Sequence, residues 1–162
     1  MPSIVAGWEN FFVAEVGAAA AMTGLLFVAV SINLRQILEV KHLPERAGET
    51  LIVLLAVLII ASFGLVPRQS ACAFGLEMSL VGFCTWLFSV RRQMIAYRDQ
   101  HVRQWIATRA AMTQGATLPF VLGGALLATG HAWAIYAVVP GTLLSFAAGA
   151  LNAWVFLVEI QR

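Results

Sequence analysis

The chain has 162 residues, of which 60% are hydrophobic and 11% charged, whereas an ordinary soluble chain is roughly 25% charged. Ten basic against eight acidic side chains leave a net charge of +2, and the mean hydropathy is +0.85. These figures exclude a soluble enzyme, a nucleic-acid reader and a disordered tail, and the length suits one domain.

A membrane-spanning helix needs about 20 mostly apolar residues. Five blocks meet that length: 11–34, 47–66, 71–90, 110–129 and 132–158. The expected fold is all-α, one bundle of five transmembrane helices whose first partner is the lipid bilayer. The first block lacks a basic leader and is too long for a signal-peptide core, so it reads as a span. Orientation follows from the Lys/Arg distribution. No basic residue precedes the first block, and Arg35, Lys41 and Arg46 come after it. Arg68 alone follows the second, while Arg91, Arg92, Arg98, Arg103 and Arg109 follow the third. None follows the fourth, and Arg162 ends the chain. An N-terminus outside and a cytoplasmic C-terminus place nine of the ten basic residues inside. Arg91, Arg92, Arg98 and Arg103 are then expected to meet lipid headgroups, and Trp8, Trp105 and Trp133 fall at interfaces.

In the first span Asn10, Gly17, Gly24 and Ser31 recur every seven residues. Such a seam of small residues lets helix backbones approach closely in a bilayer. Glu15 points to the opposite side. With both sides engaged, this span is expected at the centre of the bundle. The second span is aliphatic from Leu51 to Ile60 and is expected to face lipid. Pro44 suits its first turn, and Glu45 and Glu49 are expected to complement its N-terminal dipole. The third span repeats Gly75, Gly82 and Ser89 at seven, with Glu77 turned away from them. The fourth carries Thr113, Gln114, Pro119, Gly123 and Gly124. The fifth carries Pro140 and a ridge of Gly141, Ser145 and Gly149, with Asn152 beyond it. These glycines and prolines fit close helix packing, or the interrupted helices that line transporter cavities.

The acidic residues are the most informative. A charged side chain inside the membrane costs about 2.5–3.5 kcal/mol on insertion scales, so it should find a partner or a function. Glu77 and Glu15, both in the outer half, form the candidate ion or proton site. Asn33, Gln114, Asn152 and His131 are candidates for a polar path through the bundle. Interhelical hydrogen bonds are the competing explanation for the amides. No metal-ligand spacing, phosphate loop or nucleophile–base constellation is present, so no metal, cofactor or enzymatic activity is expected. Cys72 and Cys84 lie about 18 Å apart along a helix, beyond disulfide reach.

The segments Phe11-Phe-Val-Ala-Glu-Val-Gly and Thr23-Gly-Leu-Leu-Phe-Val-Ala-Val-Ser-Ile-Asn-Leu34 resemble the first helix of a family of small bacterial membrane proteins without an assigned activity. Leu43-Pro-Glu-Arg-Ala and Glu49-Thr-Leu are similar to the stretch after that helix in the family. The resemblance covers the first third of the chain. It implies a multipass protein of the bacterial inner membrane and carries over no functional residue.

Two functions remain as expectations. One is an oligomeric ion channel or proton-linked transporter that uses an intramembrane carboxylate. The other is a non-catalytic membrane subunit that assembles with a larger membrane-protein partner through its glycine seams.

Overall fold

A computed structural model describes residues 7–40, 43–97 and 103–158. Every regular element among them is helical: α1 (Glu9–Ile32), α2 (Leu34–Glu39), α3 (Leu43–Gly64), α4 (Ala71–Tyr97), α5 (Arg103–Ala128), a 3-10 helix (Ala132–Ala137) and α6 (Val138–Leu157). Five stretches are long and apolar enough to cross a membrane: α1, α3, most of α4, most of α5, and the 3-10 helix joined to α6. This fits a multipass membrane protein. Helices satisfy their own backbone hydrogen bonds, which a hydrocarbon solvent requires.

Three helices outrun their apolar blocks at the end of the bundle that carries Arg46 and Arg91, here called the basic end. Helix α3 starts at Leu43, four residues before the apolar block, with Pro44 in its first turn. Proline is tolerated there because the first amides of a helix have no partner within it. Helix α4 runs past Arg91 and Arg92 to Tyr97, and α5 begins at Arg103. The basic residues Arg91, Arg92, Arg103 and Arg109 therefore fall on the ends of two helices. Helix α1 breaks at Asn33, whose ψ of 21° leaves the helical range. At the opposite end the turn into the 3-10 helix uses Gly130 at φ +98°, a conformation that a side chain would strain.

The packing reverses two expectations. Helix α3, not α1, is the central element: 56% of its apolar window is buried, against 17% for α1. It touches α1, α4 and α6 and grazes α5, with Leu54, Val57 and Ile60 fully enclosed. A helix that is aliphatic all round can be covered on every side, and that explains its place. The seam of α1 faces outward. A Cβ at Gly17 or Gly24 would meet nothing within 4 Å, and Asn10 and Ser31 are exposed. Seven-residue spacing identifies a stripe on one helix side, but it does not say whether the neighbour is another span or the surroundings.

Most glycines of the other spans do pack inside, Gly48 excepted. A Cβ on Gly75 would lie 2.7 Å from the Gly124 carbonyl oxygen, and one on Gly124 would lie 2.5 Å from the Ser79 amide nitrogen. Helices α4 and α5 thus cross backbone to backbone. Gly82 and Gly141 both seat the Phe120 side chain, and Gly149 faces Leu54 and Met22. The core has two parts. Phe12, Phe74, Met78 and Phe120 lie in one cluster, where the Phe12 and Phe74 rings meet edge to face at 5.4 Å. Leu26, Ile37, Leu54 and Phe156 lie in the other.

Candidate functional site

Among the described hydrogen bonds, the most shared carboxylate is that of Glu49. It lies six residues into α3, about 9 Å along the helix axis from Leu43, and is only 3% exposed. Three side chains from two other helices converge on its carboxylate. Gln93 of α4 donates from Nε2 to Oε1 at 2.7 Å. Thr113 of α5 donates to Oε1 at 3.2 Å. Arg109 of α5 donates to Oε2 from Nε at 2.7 Å and also from Nη2. A carboxylate offers about four acceptor sites, and here all four are used. One buried carboxylate therefore ties α3, α4 and α5 together at the basic end. With its acceptor capacity taken, Glu49 acts as a clamp and has little left for a ligand.

A second chain lies beside it. Arg46 donates from Nε to Asn152 Oδ1 at 2.8 Å. Asn152 donates from Nδ2 to Thr50 Oγ1 at 2.7 Å, and Thr50 donates to the Arg46 carbonyl at 2.8 Å. This joins α3 to α6. Asn33 donates to the Phe156 carbonyl at 2.6 Å, which brings the end of α1 against α6. Between the clamp and this chain is a cavity of about 20 Å³, lined by Glu49, Thr50, Arg109, Thr113 and Asn152 with three apolar residues.

The opposite end holds the two glutamates singled out in the sequence. Glu15 on α1 is 9% exposed, and its buried Oε2 has no hydrogen-bond partner. Glu77 on α4 is half-buried and accepts a hydrogen bond from the Gln69 side-chain amide. Gln69 lies just after Arg68, in the turn between α3 and α4. Among the described hydrogen bonds none joins Glu15 to Glu77. His131 is exposed, its Nδ1 lies 3.1 Å from Thr129 Oγ1, and no described contact takes it to either glutamate. No group of three metal-ligating side chains is present among the described residues.

The structure brings Asn33, Thr113 and Asn152 to the basic end and turns Gln114, next to Thr113 on α5, toward α4 to accept the Trp86 indole N–H. Ala19, Leu26, Leu54 and Val57 are buried in the core and are all apolar. Arg91 and Arg92 are exposed at the basic end, and the Arg92 guanidinium stacks over Phe88 at 5.0 Å. Arg98 lies outside the described residues, as does the side chain of Arg103. The sequence pattern assigns Glu49 to a helix dipole and counts Arg109 only among the basic residues between two spans, because apolar blocks do not mark where helices end. The missed signal was depth: Glu49, Gln93 and Arg109 each sit one to two turns inside the helix ends that face the basic side. Compared with known proteins, the chain matches no family model, no curated protein and no solved structure.

Proposed function

We propose that the protein moves protons or small cations across a bacterial inner membrane, with its N-terminus outside and its basic end in the cytoplasm. Glu15 is the outer ion or proton station in this reading, Glu77 stands near the same surface, and the Glu49–Arg109 clamp closes the cytoplasmic side. The observation that carries the reading is the buried Glu15 oxygen without a partner. A glutamate kept only for structure would be saturated as Glu49 is, since an unsatisfied buried polar group costs about 1–3 kcal/mol. The cavity of about 20 Å³ is room for one water. Passage therefore requires helix movement, or a path between the subunits of an oligomer. The test is proton and cation flux into proteoliposomes. Wild-type protein should conduct, folded Glu15→Gln should lose at least about tenfold of that flux, a free-energy change of about 1.4 kcal/mol, and Glu77→Gln should lose less. Absence of wild-type flux across a range of ions and pH, or full flux in both variants, would sink the proposal.

A second reading is favoured by the outward seam of α1: the protein is a non-catalytic membrane subunit whose Gly17 and Gly24 receive a helix of a larger partner or of a second copy. Gly24 is exposed, and a Cβ added there meets no atom of the chain within 4 Å. Leucine at this site should not lower unfolding stability, since it exceeds glycine in helix propensity by up to about 1 kcal/mol, while abolishing any oligomer seen by chemical cross-linking in membranes. An oligomer that survives Gly24→Leu would remove this reading.

A further inference from the structure

We propose that the cavity at the basic end is a binding site for a single water molecule, which joins the Glu49 clamp to the Asn152 chain. The site is built from three helices. Glu49 and Thr50 come from α3, Arg109 and Thr113 from α5, and Asn152 from α6. Among the described hydrogen bonds the two sets share no atom. One set is Gln93, Glu49, Arg109 and Thr113. The other is Arg46, Asn152 and Thr50.

Volume and chemistry select the occupant. A cavity needs roughly 10–15 Å³ to hold a water, which in turn needs two to four polar partners; this one measures about 20 Å³. The partners are at hand. Asn152 Nδ2 has two hydrogens and gives one to Thr50, so the second is open to the cavity's occupant. The guanidinium of Arg109 has five N–H donors, and two described bonds to Glu49 use only part of them. The single hydroxyl hydrogen of Thr113 is shared between Glu49 Oε1 and the Arg109 carbonyl, and the oxygen lone pairs remain to accept. A cation in this space would face the Arg109 guanidinium, and an anion would face the Glu49 carboxylate. The other member of the pair attracts the same ion, so the net-neutral pair leaves the ion's loss of hydration uncompensated. The fitting molecule is neutral, hydrogen-bonding and water-sized. It takes a hydrogen from Asn152 and gives one to Thr113, and the two sets become one layer running from α4 through α5 and α3 to α6. That this layer passes protons at the cytoplasmic side rests on the transport reading. The water site itself does not.

The test uses the purified wild-type protein and two variants of one shape. Ala148 lines the cavity. Threonine and valine at this position add nearly equal bulk, so steric strain cancels between them and the hydroxyl alone differs. Ala148→Thr can place its hydroxyl where the water binds. Ala148→Val expels the water and offers nothing in return. The expected result is a melting temperature several degrees higher for Ala148→Thr than for Ala148→Val. Melting of the wild type should be the same in lithium, sodium and potassium chloride at equal ionic strength. A structure of the wild type at a resolution that resolves waters should show a peak within hydrogen-bond distance of Asn152 Nδ2 and Thr113 Oγ1. Equal melting of the two variants, or higher melting for valine, would identify a dry void and overturn the proposal. So would the missing peak, and a cation-specific rise in melting would replace the water with an ion. None of these readouts involves flux, so failure of the transport reading leaves them unchanged.

Discussion

Gly124→Ala is expected to destabilise the protein by about 3 kcal/mol, the upper part of the range for overpacked interiors. The added methyl would lie 2.5 Å from the Ser79 amide nitrogen and 2.6 Å from the Gly75 carbonyl oxygen. Both are backbone atoms of α4, so no side chain can swing aside and the helices must part. The same change at Gly24 should have the opposite sign. Its methyl meets nothing, and alanine exceeds glycine in helix propensity by up to about 1 kcal/mol. Unfolding of both variants in mild detergent, followed by circular dichroism, checks the contrast. Equal effects at the two glycines would mean that α4 and α5 do not cross at Gly75 and Gly124.

Arg109→Leu should destabilise by about 3 kcal/mol, the lower part of the range for breaking a buried ion pair. The arginine side chain keeps 20% exposure while the glutamate keeps 4%, so some solvent reaches the pair and trims the effect. Loss of Arg109 leaves the Glu49 carboxylate with Gln93 and Thr113 alone. Glu49→Leu should cost a similar amount, because it strands the guanidinium. The double variant Glu49→Leu with Arg109→Leu should recover much of the loss, since replacing both charges with packed hydrocarbon is often neutral. A double-mutant cycle reads this as coupling well above about 0.5 kcal/mol. Strictly additive losses would show that the two side chains do not meet.

Much of the fold was legible in the sequence, for one physical reason. A bilayer demands long apolar helices, and composition alone reveals them. The five spans appear where the apolar blocks predict, and the glycines at 75, 82, 141 and 149 lie at close approaches. What composition cannot convey is which side of a helix meets which neighbour. The small residues of α1 looked like an internal seam, and the aliphatic α3 looked like a lipid-facing helix. The structure exchanges their places, because lipid tails and buried side chains are equally apolar and leave the same mark on a sequence. Helix ends were misplaced for a related reason. A helix continues past its apolar block with polar residues, so Glu49 lay at the very edge of its block and Arg109 just outside its own. Their pairing links residues sixty apart, and no local pattern carries such a contact. Glu15 was visible as a carboxyl within an apolar block, but its lack of a partner emerges only once its neighbours are placed.

On the transport reading, Glu15 is kept for function at the expense of stability. Glu15→Leu tests this most directly when melting and flux are measured on the same purified preparation. Removing an unsatisfied buried oxygen should stabilise the bundle by about 1 kcal/mol or more, and the same protein in liposomes should no longer pass protons or cations. Destabilisation by Glu15→Leu together with unchanged flux would contradict the reading and leave Glu15 a structural residue.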